Sequence, residues 1–424
     1  MASFFIETFG CQMNIADSDY LSELLIQRGF SAAPERSSAD LFIVNTCSVR
    51  EHAEVRAKAR LRELSAEKKN AANRRLLWVI GCMAERAGES LKKEISGINR
   101  LIGAKEIEFI DQHLDSYLAE DLFDRCPVPV RHRQGIAAFV PIMRGCDNYC
   151  AYCLVPYVRG REHSRTPAVV EANVRTLVDS GAREITLLGQ NVNSYKSEGV
   201  DFPDLLARLH TIEGLARVRF TTSHPKDCSQ KLIETAASLP KICKHFHLPV
   251  QSGSSRILSL MNRQYSRDDY LRLIDAVRSR IPSVDITTDV MVGFPGETAA
   301  EYQETLDLFT KIRFTSAFMF AYSPRQGTAA CDLPGDVPEK EKKERLNELI
   351  AMQTAITKEH FASMTDRTVE VLITGRQSRK DRLWMGQDNG AKNILLACDQ
   401  EISGMILQAR VIRTTGMTLV CERI

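Results

Sequence analysis

The stretch Arg144-Gly145-Cys146-Asp147-Asn148-Tyr149-Cys150-Ala151-Tyr152-Cys153 constrains this chain more than any other, because it sets three thiols at C-x3-C-x2-C spacing. It follows the short apolar run Phe139-Val140-Pro141-Ile142-Met143, which reads as a strand ending in a loop. Three thiolates can hold three irons of a four-iron cube. The fourth iron is then open to a small molecule, much as catalytic zinc keeps one open position. Gly145 lets the backbone come close to such a cluster. A zinc knuckle would want a fourth ligand nearby, and buried free cysteines seldom fall at such regular offsets, so the iron-sulfur reading is preferred.

At 424 residues the chain is too long for one core, and two or three domains are expected. No apolar run approaches the length of a membrane span, and Met1-Ala2-Ser3-Phe4-Phe5-Ile6 lacks the basic start and long apolar core of a signal peptide. Twelve cysteines without an export signal imply a reducing, cytoplasmic setting and thiols used as ligands, not as disulfides. The net charge of +2 leaves any RNA contact to local basic patches.

The N-terminal region, residues 1–120, repeats one idea three times. Ser3 to Cys11, Asp40 to Cys47 and Leu76 to Cys82 each run from an apolar segment into a cysteine and read as buried parallel strands. Helical patterns around Asp17 to Gln27 and Glu51 to Ser65 supply the crossovers. Three units sharing little beyond strand and cysteine are a poor solenoid, so a small doubly wound sheet is preferred. In such a sheet the ligand crevice lies at the carboxyl ends of the strands, where Cys11, Cys47 and Cys82 all fall. Chance core cysteines are the bland alternative. Gly10 and Gly81 stand before their cysteines as Gly145 does, which favours a second three-cysteine cluster with an open iron. Cys126, Cys228, Cys243, Cys331, Cys398 and Cys421 show no such placement. From about Asp121 to Gly135 a proline-containing, basic stretch reads as a linker.

The central region, residues 132–362, continues with strand candidates at Glu184 to Leu188, Val218 to Thr222, His245 to Val250, Asp285 to Val292 and Ala317 to Tyr322. Helical patterns such as Pro167 to Ser180, Asp268 to Ser279 and Thr298 to Lys311 separate most of them. Six strand-helix units make an open, partial (β/α)6 barrel whose C-terminal mouth carries the chemistry. Polar loops after the strands (Leu188 to Asn191, Thr222 to Pro225, Gln251 to Ser254, Gly293 to Glu297) form its rim. His245 and His247 share a strand face and are read as hydrogen-bonded residues of the barrel interior, not as metal ligands. Arg159, Arg161 and Arg165 fit a phosphate backbone or solvated surface charge equally well.

Pro338 to Met364 reads as one helix with Leu346, Leu349, Ile350 and Ile356 on its apolar stripe. Beyond it, residues 363–424 carry short alternating segments at Thr368 to Thr374, Leu383 to Met385, Asn393 to Ala397, Met405 to Thr414 and Thr418 to Cys421, the pattern of a small antiparallel barrel. Arg376, Arg379, Lys380, Arg382 and Lys392 would give it the charge to bind single-stranded RNA; a structural cap is the alternative.

Taken together, these motifs resemble the radical S-adenosylmethionine methylthiotransferases over nearly the whole length. The matching residues are Thr8 to Asn14, Asn45 to Glu51, Gly81-Cys82, Gly145 to Arg161, Gln251 to Ser254, Gly293 to Glu297 and Tyr322-Ser323-Pro324. The resemblance implies two 4Fe-4S clusters, on Cys146, Cys150 and Cys153 and on Cys11, Cys47 and Cys82. It implies S-adenosylmethionine chelated by the open iron of the first cluster, with Tyr152 near its adenine. Gly189, Gln190, Gln251, Ser252, Gly293 and Glu297, by their place on the rim, are the expected contacts to that cofactor. The tail is similar to the TRAM module but has Met385-Gly386-Gln387-Asp388 where relatives often carry a Gly-Arg-Thr turn. The implied reaction is methylthiolation by radical chemistry, which also needs a low-potential electron donor and a sulfur or cluster-repair donor. Cys11-Gln12-Met13-Asn14 and Val155 to Gly160 look most like the branch acting on carbon 2 of N6-isopentenyladenosine at position 37 of tRNA. Other branches act on a ribosomal-protein aspartate or on threonylcarbamoyl-adenosine in tRNA. An iron-sulfur electron carrier tethered to RNA is the reading from another class, and the cofactor-sized set of polar strand-end loops argues against it.

Overall fold

Alternation along two strands organises the N-terminal region. In a computed structural model describing residues 3–48, 51–70, 75–121, 135–377 and 382–424, strands β3 (Leu41–Thr46) and β4 (Leu76–Gly81) are buried at every position. Leu41, Ile43, Trp78 and Ile80 pack on one face with Leu21, Leu24 and Leu25 of helix α1 (Gln12–Gln27). Phe42, Val44, Leu77 and Val79 pack on the other with Ala57, Leu61 and Leu64 of α2 (Glu51–Asn70). A strand covered on both faces has no polar side, which is why these segments read as unbroken apolar runs. With β1 (Ser3–Thr8), β2 (Ser31–Ala32) and β5 (Arg100–Gly103) they form a parallel sheet in the order β2-β1-β3-β4-β5. The doubly wound expectation holds, and the order places the topological switch point between β1 and β3.

Two compact units account for the chain: Met1–Arg133 with Arg144–Asp147 and Cys153–Glu162, and Gln134–Met143 with Asn148–Tyr152 and His163–Ile424. Residues 122–134 of the expected linker, with Cys126, lie outside the described residues, as do Arg379 and Lys380 of the expected basic cluster.

The second unit contains the expected six parallel strands, split into two triplets. The first is β6 (Ala137–Pro141), β7 (Glu184–Leu188) and β8 (Arg217–Phe220); the second is β9 (His245–His247), β10 (Asp285–Val292) and β11 (Ser316–Ala321). Among the described residues a single bridge, Val218 to Ile242, links them. The strand expected over His245 to Val250 stops at His247, and the chain then takes a left-handed turn at Gln251 (φ +72°). The helix Glu339–Ala362 buries Leu349 and Ile356, but Ile350 of the expected stripe is exposed.

The tail is a closed five-stranded barrel built from β12 (Thr368–Arg376), β13 (Leu383–Asp388), β14 (Asn393–Ala397), β15 (Ile406–Thr415) and β16 (Thr418–Arg423). It is not antiparallel throughout: β14 and β16 run parallel. A closed ring with an odd number of strands cannot alternate direction all the way round, so one parallel pair is unavoidable. The barrel sits on the strand-start end of the half-barrel. Arg217 donates to Gln387 O (2.6 Å) and Glu370 O (3.2 Å), and Arg219 donates to Asp388 O (2.5 Å) and Asn389 O (3.1 Å). Lys392 is buried between Asp285 and Asp388, so it is a junction residue and not the surface cation expected for RNA.

Candidate active site

Cys11, Cys47 and Cys82 each follow the end of β1, β3 or β4, at the crevice edge of the sheet. Cys11 caps α1, and Cys82 opens the short helix α3 (Cys82–Ala87). Two glycines make the close approach possible. A Cβ on Gly10 (φ +150°) would lie 2.9 Å from Cys47 Cβ, and one on Gly81 (φ +96°) would lie 2.5 Å from Thr46 O. Asn14, fully buried, braces the edge: its amide donates to Asn45 Oδ1 (2.8 Å) and Thr46 O (3.0 Å), and its oxygen accepts from Cys11 N–H (3.3 Å). Asn45 in turn donates to Asn14 O and Ser18 Oγ.

The electrostatics join the three thiols. Burial pushes the Cys82 thiol up to about 11, Cys47 and Cys11 push the same way, and Arg159 opposes them. Arg159 is itself buried; burial works against its charge, but Cys82 and Asp17 outweigh it and raise its pKa. Asp17 also binds Arg144 at 2.5 Å, so one buried carboxylate faces two buried guanidiniums. Arg144 Nε and Nη1 are buried without a hydrogen-bond partner, beside a cavity of about 180 Å³ lined by Ala104, Lys105, Glu108, Phe109, Arg144 and Arg159. This excess of buried positive charge suits three thiolates and an anionic cluster. Among the described residues no three His, Cys, Asp or Glu side chains converge on a single metal ion. That is compatible with a cube, in which each thiolate binds its own iron.

Cys146, Cys150 and Cys153 lie in one loop, the first two buried and the third partly exposed. Gly145 (φ +77°) cannot be replaced cheaply, because a Cβ there would stand 1.9 Å from Arg161 O. Cys153 Sγ accepts from Val155 N–H (3.5 Å). Cys150 Sγ accepts from Arg263 Nη1 (3.3 Å), and the same guanidinium donates to Pro249 O (2.8 Å) and Tyr265 Oη (3.0 Å) and lies 3.4 Å from Tyr152 Oη. Donors to a cluster sulfur stabilise its charge. The residues therefore fit the group.

On the rim, Gln251 is buried and pairs through its backbone with Asp289 and Met291. Ser252 Oγ accepts from Ser254 N–H (3.2 Å). Glu297 binds Gly293 N–H and Arg345, each at 2.6 Å, through one oxygen, and its other oxygen is buried without a partner, as is Gln190 Oε1. A Cβ on Gly189 would meet Met143 Cγ at 2.5 Å, and one on Gly293 (φ +71°) would meet Lys342 Cγ at 2.4 Å.

Comparison with known proteins places this geometry. Residues 140–309 match the Radical SAM superfamily and residues 3–103 match Uncharacterized protein family UPF0004. A tRNA-2-methylthio-N(6)-dimethylallyladenosine synthase from Clostridium botulinum is 40% identical, covering 100% of this chain and 97% of that protein. One from Moorella thermoacetica is 39% identical over 100% and 98%. The chain belongs to the tRNA-2-methylthio-N(6)-dimethylallyladenosine synthase family. The fold is also that of a radical S-adenosylmethionine methyltransferase, TsrM, from Kitasatospora setae, with TM-score 0.58 and 16% identity over 78% of this chain and 77% of that one.

Membership of this synthase family makes the chain a radical S-adenosylmethionine enzyme, and with that come a 4Fe-4S cluster and S-adenosylmethionine. No described helix is long and apolar enough to cross a membrane. The reading of Arg159 is corrected, and that of Arg161 falls to solvated surface charge. Arg159 is neither a phosphate ligand nor solvated, being buried on Asp17 beside Cys82, and Arg161 is exposed and paired with Asp147 at 2.8 Å. His245 and His247 do bond within the barrel, both to Thr287 Oγ1 (2.9 and 3.0 Å). Sequence reasoning gives no role to Arg263 or Asp17 and names Asn14 and His224 only within a motif and a rim loop. Asn14 was visible inside the first cysteine motif; a buried arginine leaves no such trace. His224 is buried, and burial, then Arg263 and Lys226, lower its pKa to about 2.

Proposed function

We propose that this enzyme adds a methylthio group to carbon 2 of N6-isopentenyladenosine at position 37 of tRNA; its relatives are named tRNA-2-methylthio-N(6)-dimethylallyladenosine synthases. The observation that carries the reading is the meeting of whole-length similarity with two separate cysteine triads, one of which only the folded sheet assembles. Cys146, Cys150 and Cys153 would hold a 4Fe-4S cluster that supplies the electron for cleaving S-adenosylmethionine, and Cys11, Cys47 and Cys82 would hold a second that supplies sulfur.

The chain's own residues set the conditions for that chemistry. Arg159 favours the thiolate of Cys82, and Arg263 donates a hydrogen bond to Cys150 Sγ. Tyr152, Gly189, Gln190, Gln251, Ser252, Gly293 and Glu297 position S-adenosylmethionine, the glycines by admitting backbone where a side chain would clash. Three functional domains follow: 1–120 for the sulfur-bearing cluster, 132–362 for radical generation and 363–424 for RNA. The enzyme works in the cytoplasm with a low-potential electron donor and a sulfur or cluster-repair donor.

The test offers reconstituted enzyme, reductant and S-adenosylmethionine four substrates separately: isopentenylated tRNA, unmodified tRNA, threonylcarbamoylated tRNA and small ribosomal subunits. Mass spectrometry should find methylthio addition on the first alone. Product from either of the last two, with none from the first, would move the enzyme to another branch. No product from any, with two intact clusters, would favour the electron carrier.

A further inference from the structure

The triplet β9-β10-β11 has two faces, because successive side chains on a strand point oppositely. Phe246, Ile286, Val290 and Val292 go to the core shared with the surrounding helices, and Ala317 and Met319 pack against it. The other face carries His247, Thr287, Asp289, Phe318 and Phe320. It should be polar or covered, yet Phe318 is 57% and Phe320 40% exposed. Register sets Asp289 beside Phe318 and Met291 beside Phe320. The His247 ring meets the Phe318 ring edge-on at 6.2 Å and is held by Thr287 Oγ1 (3.0 Å) and the Asp289 carboxylate (3.4 Å). Two residues beyond Phe320, Tyr322 joins a buried cluster with Phe294 and with Ala151 and Tyr152 of the cysteine loop. The two open phenyl rings are therefore continuous with the radical site, on the inward face of a barrel whose interior mouth holds ligands.

We propose that Phe318, Phe320 and Asp289 form the subsite that reads the substituent on N6 of the target adenine. The inference rests on the methylthiotransferase reading above and adds the residues that select the substrate. Open aromatic faces suit an unstacked base and an apolar chain. Asp289 supplies an acceptor for the single hydrogen left on a substituted N6. The same carboxylate repels a substituent that ends in a carboxylate, as the threonylcarbamoyl group does. An apolar substituent is thereby favoured twice, by what attracts it and by what rejects its rival.

The experiment measures binding of reconstituted holoenzyme, by fluorescence anisotropy, to anticodon stem-loops whose target adenosine is isopentenylated, unmodified or threonylcarbamoylated. Wild type should prefer the isopentenylated loop to the unmodified one by about tenfold or more. The double variant Phe318→Ala, Phe320→Ala should bring that preference below about threefold, with iron content and the unfolding midpoint unchanged because both rings are exposed. Asp289→Asn should tighten binding of the threonylcarbamoylated loop about tenfold, with less effect on the isopentenylated one. A double variant that keeps the full preference overturns the subsite. If wild type methylthiolates isopentenylated tRNA in the assay above, that failure belongs to the subsite alone; if wild type neither prefers nor modifies it, the function reading fails first.

Discussion

The two cysteine triads are built in opposite ways. Cys146, Cys150 and Cys153 share one loop, so their spacing is a local property of the chain, and their known support is hydrogen bonds from Val155 N–H and Arg263. Cys11, Cys47 and Cys82 come from three strands, Cys47 and Cys82 are almost completely buried, and their support is a charged group, Arg159 with Asp17 and Arg144. A loop triad survives wherever its loop survives. A sheet triad exists only while the sheet is folded and its buried charges remain balanced.

The largest expected effect separates the two outright. Changing Cys146, Cys150 and Cys153 together to alanine should remove about half of the bound iron and abolish 5'-deoxyadenosine formation, whereas the Cys11, Cys47 and Cys82 triple variant should lose the other half and still cleave S-adenosylmethionine. Iron analysis and chromatography decide it, and loss of all iron from either variant would erase the distinction.

Next in size is Asp17→Ala, which leaves two buried guanidiniums without their carboxylate. A cost of about 3–5 kcal/mol is expected, read as a lowered unfolding midpoint, with iron lost from the sheet triad and retained by the loop triad. Equal loss from both would show that charge balance does not distinguish them.

The smallest effect is acid sensitivity, and it belongs to the unit that contains Arg263. The folded state holds His224 neutral to a pKa of about 2, but the unfolded chain takes up a proton near pH 6.5. Below about pH 6.5 the unfolded state binds more protons, so stability falls as pH falls and is fully present only above that value. A loss of about 1 kcal/mol per pH unit is expected in denaturant titrations between pH 6.5 and 5, and His224→Gln should flatten the slope.

What was legible followed physical range. The buried strands announce themselves as apolar runs leading into a cysteine, and the second triad is legible from those runs, from Gly10 and Gly81 and from the crevice edge of a doubly wound sheet. β2 and β5 were not seen: Ser31–Ala32 is exposed, and Arg100–Gly103 carries a charge at its start. Helix α1 begins at Gln12, earlier than its apolar pattern at Asp17 suggests, because Cys11 and Asn14 close its first turn. Arg159 reads equally as a phosphate ligand or surface charge, Lys392 reads as an RNA-binding cation and Arg263 carries no signal, since no local pattern marks a cation whose partners lie far along the chain.

The arginines of the half-barrel grip the tail through main-chain oxygens of Gln387, Asp388 and Asn389, beside the side-chain pairs of Lys392. Carbonyl groups are common to every residue type, so this clasp constrains the path of the turn more than its letters. Met385 and Gln387 can therefore change while the anchoring arginines stay in place, whereas Gly386, where a Cβ would lie 2.4 Å from Leu372 O, and Asp388, which holds Lys392, cannot. A tail grafted from a distant relative should seat correctly if its turn follows the same path and keeps a lysine and a carboxylate at the positions of Lys392 and Asp388.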